Sequence, residues 1–368
     1  MELHKTAYII IISLLVAIIL LFAYLNLKQN SVSVEIGEEL ESCKSLVYNG
    51  EDRIDLLFLA SESDTQRFSD ALLNTLPYSE NKNYFNIFFI DDYEPTCEDY
   101  KGIAILCNTK ENIKEARRCP NDYIFIIKDK PSNIRSSAFG NVISINKNHD
   151  NAVIVHEFGH AFGNLAEEYT PAKLPRGSEN CVSSCDKFNG PIDSCEQECS
   201  QGNLYRSIRA GVMRTLITSD YGQFNIKLLK ELLEKNKPSD AGLTGNQIAE
   251  YKGCEDKQVV IVEGTQTESS FSIDAPKELL LGCAPDNSGV GAETIITDSG
   301  SELYSLTAMF TDVQAGDELT GSIESPQTIL FSTSFTNNQD TLTIRDTQTG
   351  EILAQTSFVQ AGATACIT

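Results

Sequence analysis

The sequence contains no tryptophan, only four histidines and three methionines, and few basic residues, with 29 Lys and Arg against 52 Asp and Glu. The formal net charge of -23 leaves no basic face to neutralise phosphates, which excludes nucleic acid as an expected partner and makes anionic lipid headgroups a poor one. Disorder of the whole chain is excluded as well, because 41% of the 368 residues are hydrophobic. That content can form a core in each of about two domains.

An uncharged apolar run, AYIIIISLLVAIILLFAYL, extends from Ala7 to Leu25 near the N-terminus. A helix over this run would cross roughly 30 Å of hydrocarbon at about 1.5 Å per residue, and no small-x-small cleavage site follows it. We therefore expect a transmembrane signal anchor over residues 1–25, a stalk over 26–50, and the remainder of the chain outside the cytoplasm as a single-pass cell-membrane protein. A cleaved signal peptide is the alternative.

The eleven cysteines agree with an oxidising exterior, where disulfides persist, and their odd number leaves at least one unpaired. An insertion over 181–199 contains four of them in two Cx3C pairs, Cys181, Cys185, Cys195 and Cys199. These could bind a structural zinc ion, but such sites usually use CxxC pairs, so we expect two disulfides, whose pairing the sequence does not choose. Further bonds are expected among Cys97, Cys107 and Cys119, and between Cys283 and either Cys254 or Cys366.

Strand and helix signals alternate over residues 51–252. Short apolar runs such as DLLFLA, NYFNIFFI, YIFIIK and NVISIN predict buried strands, whereas TQRFSDALLNTL and FNIKLLKELLEKNK have helical spacing. This alternation predicts an α/β (α+β) domain with helices on a layered sheet. Residues 253–368 change to short strands separated by Gly, Asp, Asn and Ser, which predicts an all-β sandwich-like domain. It contains no catalytic motif, so we expect it to bind a surface partner or a glycan, or to act as support.

The sequence HEFGH, from His156 to His160, lies in an apolar stretch predicted to be helical. Histidines at i and i+4 share one helix face and can bind a single Zn²⁺, and Glu157 can then act as general base towards the water at the metal. Zinc lowers the pKa of that water towards about 7, which makes hydrolysis of a peptide bond feasible at neutral pH. The alternative is a structural pair of core histidines.

The motif continues as HExxHxxGxxxEE to Glu168, followed by Tyr169. A positive φ at Gly163 would end the helix and return the chain beneath the metal. The pattern resembles peptidase family M64, the immunoglobulin A peptidase type, whose motif is HExxHxxGxxxDE followed by Tyr. The resemblance covers about residues 51 to 235 and implies a metzincin-like zinc metallopeptidase.

Ala166 occupies the place where the wider metzincin pattern has a third His or Asp ligand, and alanine cannot bind zinc. The position of the family's Asp corresponds to Glu167, which is therefore the expected third ligand, with Glu168 as the alternative. A distant residue could also complete the site.

Three other features are expected near the site. Met213, preceded by Gly211, fits the methionine turn that the resemblance implies beneath the metal, although a plain core methionine is the alternative. Tyr169 and Tyr221 are the candidate phenols for stabilising an oxyanion. In metzincin-like enzymes a substrate adds as an extra strand at a sheet edge, and the segment 141–146 matches that edge unless it is an inner strand.

Together these features predict a membrane-anchored, extracytoplasmic zinc endopeptidase that acts on protein or peptide substrates. An inactive, peptidase-like binding protein of the cell surface is the alternative. An amidase or deacetylase that uses the same zinc chemistry is a third possibility.

Overall fold

The computed structural model describes residues 43–100, 102–238, 253–254, 257–266, 271–274, 278–285, 327–334, 341–346 and 349–357, and the backbone of the strands at 33–34, 249–251, 293–297 and 302–306. The helices are α1 Glu62–Leu73, α2 Lys110–Ala116, α3 Ala152–Gly163 and α4 Gln223–Lys235. Single 3₁₀ turns are Tyr78–Glu80, Lys82–Tyr84 and Cys185–Lys187. The strands are β1 Ser33–Val34, β2 Cys43–Val47, β3 Ile54–Leu59, β4 Phe85–Ile90, β5 Glu98–Tyr100, β6 Ala104–Leu106, β7 Tyr123–Lys128, β8 Ser137–Phe139, β9 Val142–Asn146, β10 Glu196–Cys199, β11 Gln201–Arg206, β12 Ala249–Tyr251, β13 Gln258–Gln266, β14 Phe271–Ile273, β15 Glu278–Leu281, β16 Glu293–Thr297, β17 Glu302–Leu306, β18 Gln327–Ser334, β19 Thr341–Asp346 and β20 Ile352–Ser357.

The predicted fold class needs correction. The described residues form a mixed α/β structure with several sheets, and none of their helices is long and apolar enough to cross a membrane. The longest of them, α4, has 13 residues, about 20 Å at the usual rise, against roughly 30 Å of hydrocarbon. The predicted transmembrane segment, residues 7–25, lies outside the described residues.

A seven-stranded sheet in the order β12-β2-β4-β3-β7-β9-β8 forms the centre of the structure. The inner strands β4, β3, β7 and β9 pair in parallel, and the strands at both ends pair antiparallel. Because both faces of this sheet are covered, its inner strands are nearly continuous apolar runs. These are the runs that the sequence predicted as strands.

Neighbouring residues of the central strands belong to two different cores, as the alternation of side chains in a strand requires. Leu56 and Phe58 join the core that contains helix α3. Leu57 and Leu59 join a second core on the opposite face, built with residues of α2 and of the C-terminal strands. Helix α3 therefore lies on one face of the sheet, and the C-terminal strands cover the other.

Two segments differ from the predicted domain plan. The predicted stalk, residues 26–50, includes Cys43–Val47, which forms strand β2 and pairs antiparallel with β4. Its apolar residues belong to the cores, and Cys43 is bonded to Cys119. In the C-terminal part, the backbone N–H of Cys283 donates to the Arg117 carbonyl at 2.7 Å. The strands after residue 253 thus pack directly on the end of α2.

Five disulfides are present among the described residues, which confirms the prediction of disulfide bonding. The two in the insertion are nested, Cys181 with Cys199 and Cys185 with Cys195. The others are Cys43–Cys119, Cys97–Cys107 and Cys254–Cys283. The bond between β2 and Cys119 is not among the predicted pairs, because Cys43 falls in the predicted stalk. Cys366 lies outside the described residues.

Candidate metal centre

Helix α3 carries the HEFGH motif and is buried along almost its whole length. It ends at Gly163, and the left-handed residue is Asn164, with φ 48°, instead of the predicted Gly163. Glycine is needed at 163 for space, since a Cβ there would lie 2.7 Å from Leu229 Cδ2 on α4. The reversal at Asn164 turns the chain back, so that Leu165 and the residues after it pass beneath the two histidines.

The rings of His156 and His160 meet edge to face, with their Nε2 atoms 3.1 Å apart. His156 Nδ1 lies 2.8 Å from the Val212 carbonyl, and His160 Nδ1 lies 2.6 Å from the Leu165 carbonyl. A carbonyl only accepts hydrogen bonds, so each Nδ1 carries the proton. When both rings are neutral, each directs its Nε2 lone pair towards the other, an arrangement that a cation between them would stabilise.

Glu167 completes a triangle of donor atoms with the two histidines. Its Oε2 lies 3.4 Å from His156 Nε2 and its Oε1 lies 3.3 Å from His160 Nε2. The side chain is almost fully buried, and its backbone carbonyl accepts a hydrogen bond from Ser200 Oγ at 2.7 Å. The structure therefore brings the first of the two candidate carboxylates to the histidines.

Glu168 is directed elsewhere. Its Oε1 accepts hydrogen bonds from Asn225 Nδ2 at 2.8 Å and from Asn180 Nδ2 at 3.2 Å. Its backbone N–H donates to the Met213 carbonyl at 2.8 Å. Asn180 also bonds both the N–H and the carbonyl of Ala166, at 2.7 and 2.9 Å. Glu168 and Asn180 thus hold the segment on either side of Glu167.

Burial and mutual attraction shift the protonation of these groups. Burial lowers the pKa of His156, but attraction to and hydrogen bonding with Glu167 outweigh it and raise that pKa to about 10. Burial would raise the pKa of Glu167, but attraction to His156 and His160 holds it well below the usual range. Burial raises the pKa of Glu157 to about 8, with attraction to His156 opposing and repulsion from Glu167 adding to the shift.

His156, Glu157 and His160 offer one donor atom each within 4.8 Å of one another, a group that could hold a metal ion. Glu157 Oε2 is buried and has no hydrogen-bond partner among the described residues. Since burying a carboxylate without a partner costs free energy, such a group is expected where a ligand or a reaction uses it.

Met213 lies in a tight turn beneath α3, where the N–H of Arg214 donates to the Gly211 carbonyl at 2.9 Å. A Cβ on Gly159 would lie 2.7 Å from Met213 Sδ, so the turn packs directly against the helix between the two histidines. The neighbouring carbonyl of Val212 is the one that orients His156. Met213 therefore packs under the helix that carries the histidines, and its role as the methionine turn of a metal site stays a prediction.

The two candidate tyrosines are separated by the structure. Tyr221 is fully buried, and its hydroxyl donates to the carbonyl of Val155 on α3. It contacts the helix from inside the core and is a packing residue, which corrects its prediction as an oxyanion donor. Tyr169 instead lines the same pocket as His156 and Glu157.

That pocket has a volume of about 200 Å³. Its walls also include charged and polar side chains from three loops, Arg135, Ser136, His149, Arg214 and Thr215. A larger groove of about 770 Å³ runs along α4, but none of the candidate ligands lines it. The smaller pocket is the one beside the candidate metal centre, because His156 and Glu157 line it.

No family model matches this chain, and no curated protein matches it. The case for a function therefore rests on the donor atoms, their burial and the pocket beside them.

Several residues of the site were not found from the sequence. Asn180 and Asn225 are ordinary polar residues by pattern, and only the position of Asn180 beside Cys181 offered any signal. The carbonyls of Val212 and Leu165 carry no side-chain signature at all. Of the two interpretations of the segment 141–146, the structure favours the inner strand, because β9 lies between β7 and β8 and the outer strand at that end is β8.

Proposed function

We propose that this chain is a zinc-dependent endopeptidase of the type that its motif resembles, peptidase family M64. In this proposal His156, His160 and Glu167 are the metal ligands, and Glu157 is the general base. The observation that supports it most is the convergence of two imidazole nitrogens and one carboxylate, at mutual distances of 3.1, 3.4 and 3.3 Å.

These distances fit zinc. A tetrahedral ion with bonds of about 2.0 to 2.1 Å has ligand atoms roughly 3.3 Å from one another. Zinc also accepts imidazole nitrogen and carboxylate oxygen, and both histidines donate their second ring nitrogen to a carbonyl, as ligating histidines commonly do. Apart from the histidines, neither carboxylate oxygen of Glu167 has a hydrogen-bond partner among the described residues.

A zinc ion held by these groups supplies a Lewis acid that polarises the scissile carbonyl and lowers the pKa of water towards about 7. Glu157 lines the same pocket as His156, so its carboxylate can accept a proton from the attacking water. The water oxygen bonds to the carbonyl carbon, the C–N bond breaks, and Glu157 returns the proton to the leaving nitrogen.

Tyr169 is our candidate for stabilising the oxyanion, because its side chain lines the pocket together with Glu157. A phenol O–H that reaches the developing negative charge would favour the tetrahedral state over the planar amide. Substitution Tyr169→Phe removes the donor and keeps the ring, and should therefore lower kcat more than it changes KM.

The five disulfides support a location outside the reducing cytoplasm. We propose that the enzyme acts on proteins or peptides in such an oxidising compartment. Binding of a surface partner or glycan by the C-terminal strands stays a prediction.

The test uses the full-length chain loaded with zinc, an unbiased peptide library and detection of products by mass spectrometry. Glu157→Gln is run beside it, because that variant should retain zinc and lose cleavage. Cleavage by the wild type alone would support the proposal. Absence of cleavage with one zinc per chain would contradict it and favour an inactive binding protein, and release of a non-peptide acyl group would indicate an amidase or deacetylase.

A further inference from the structure

The pocket beside Glu157 differs in charge from the rest of the molecule. Two arginines, Arg135 and Arg214, and the imidazole of His149 line it, whereas Glu157 is the only acidic side chain among the described residues that line it. The whole chain has 29 Lys and Arg against 52 Asp and Glu. The wall of this pocket is therefore basic although the protein as a whole is acidic. Such a wall would attract a negatively charged group.

We infer that the pocket binds a carboxylate of the substrate, so that the enzyme prefers peptides with an acidic residue beside the scissile bond. This inference rests on the proposed peptidase function. Guanidinium groups bind carboxylates with two parallel hydrogen bonds, which makes arginine the usual residue for this recognition. The carboxylate can come from an Asp or Glu side chain or from the C-terminus of a peptide.

The size of the pocket suits one residue of a substrate. Its volume of about 200 Å³ is below the roughly 300 to 1,000 Å³ of pockets that enclose a whole small molecule. His156 and Glu157 line the same pocket. A substrate side chain bound there therefore belongs to a residue next to the bond that is cleaved.

Hydrogen bonds hold the backbone of Arg135, and both the backbone and the guanidinium of Arg214. The N–H of Arg135 donates to the Ile103 carbonyl at 2.7 Å, and its own carbonyl accepts from the N–H of Ile105 at 3.0 Å. Arg214 begins from the turn at Gly211, and its Nη1 donates to the Glu168 carbonyl at 2.9 Å. Groups that are already ordered lose less conformational entropy when they bind a ligand.

His149 is not assigned to this recognition, because both of its ring nitrogens have partners within the protein. Its Nε2 lies 3.1 Å from the Ser132 carbonyl, and its Nδ1 lies 3.4 Å from Ser136 Oγ. Arg214 also holds the segment that carries the third candidate ligand, so its removal would disturb the metal centre. Arg135 is therefore the residue whose substitution tests the inference.

The experiment compares matched peptides that differ only by Glu or Gln at one position on either side of the scissile bond, cleaved by the zinc-loaded full-length protein. Peptides with free and amidated C-termini form the second arm, which separates a side-chain carboxylate from a terminal one. We expect kcat/KM for the best carboxylate peptide to exceed that of its neutral match by about tenfold or more, as for a charged hydrogen bond in a pocket.

Arg135→Gln should reduce that ratio to about unity by lowering kcat/KM for the acidic peptide, and Arg135→Glu should reverse it in favour of a Lys peptide. Arg209→Gln is the matched control, since the side chain of Arg209 is 85% exposed. Thermal unfolding verifies that each variant is folded. Equal cleavage of Glu and Gln peptides at every position, with free and amidated ends alike, would overturn the inference and leave the peptidase function intact.

Binding provides a readout that does not depend on turnover. Calorimetry with the Glu157→Gln variant should show about tenfold tighter binding of the carboxylate peptide than of its neutral match. Equal binding of the two would overturn the inference. Absence of cleavage by zinc-loaded wild type would instead contradict the proposed function, so the two failures are distinguishable.

Discussion

The two faces of the central sheet are built from the same strands but differ in composition. The face that carries α3 combines aromatic side chains with buried polar groups. Phe58 stacks on Phe125, and Phe158 stacks on Phe162, and helix α3 on this face also carries the two histidines. The opposite face consists mainly of aliphatic residues and disulfide cysteines contributed by the sheet, α2 and the C-terminal strands.

The candidate metal centre therefore lies on one face of the sheet, and the opposite face is mainly apolar packing. Buried polar groups are costly unless they have partners, and on the first face Asn180 and Asn225 donate to Glu168 while backbone carbonyls accept from the two imidazoles. The second face is stabilised mainly by burial of apolar area. Substitutions on the two faces should therefore affect metal binding and folding to different extents.

The largest effect is expected from the ligands themselves. His160→Ala removes one of three donors and should abolish both zinc retention and cleavage. Glu157→Gln should retain zinc and lower kcat by roughly 10² to 10⁴. Metal analysis and steady-state kinetics on the same preparations check both. A Glu157→Gln variant with undiminished turnover would show that another group is the base.

The second face is tested by Leu280→Ala. Leu280 is 5% exposed in the core that the C-terminal strands share with the sheet, so truncation should cost about 2 to 5 kcal/mol of unfolding free energy. The whole molecule should then melt earlier in one transition, with zinc content unchanged.

Ile352→Ala is the control for that substitution, because Ile352 is 47% exposed. If Leu280→Ala lowers only a separate transition of the C-terminal strands, residues 253–368 fold as an independent domain, as their sequence predicted. That outcome would contradict the shared core.

Packing between α3 and the methionine turn is tested by Gly159→Ala. A Cβ there would lie 2.7 Å from Met213 Sδ and 2.9 Å from Tyr221 Cε1, so the turn must move at a cost of roughly 1 to 3 kcal/mol. Gly202→Ala is the matched control, since no atom lies within 4 Å of its added methyl group. Chemical denaturation of the two variants measures the difference, and equal stability would show that the turn is loosely packed.

The smallest effect is expected for Asn180→Ala, which leaves all ligands in place. Loss of its bonds to Ala166 and Glu168 should loosen the segment that carries Glu167 and weaken zinc binding by about 10- to 100-fold. Competition with a zinc chelator measures the affinity. Asn148→Ala removes an exposed asparagine that bonds Asp129 and should leave the affinity unchanged.

Local sequence patterns predicted the inner strands of the central sheet and the last helix. DLLFLA and YIFIIK became β3 and β7, and FNIKLLKELLEKNK became α4 within two residues at its end. The spacing of HEFGH and of the two acids after it predicted a site that includes His156, His160 and Glu167, and these three lie together in the structure. Between Glu167 and Glu168 the sequence favoured the first by resemblance alone.

Features that depend on distant partners were missed. The sequence of Cys43–Val47 does not mark it as a strand, because its pairing depends on the distant strands β4 and β12 on either side of it. The disulfide of Cys43 likewise depends on Cys119, which only the fold brings opposite. Asn164 takes the left-handed position predicted for Gly163, while a Cβ at 163 would lie 2.7 Å from Leu229 Cδ2. The roles of Arg135 and Arg214 depend on loops that only the fold brings to one pocket.

The outer edge of the central sheet has a further consequence. There β2 and β12 pair antiparallel, with Cys43 opposite Tyr251, so the start of β2 and the end of β12 lie side by side. This edge is at the opposite end of the sheet from β8, next to which Arg135 lines the pocket. The chain therefore enters the sheet at residue 43 and leaves it at residue 251 along one edge, the edge farthest from the pocket.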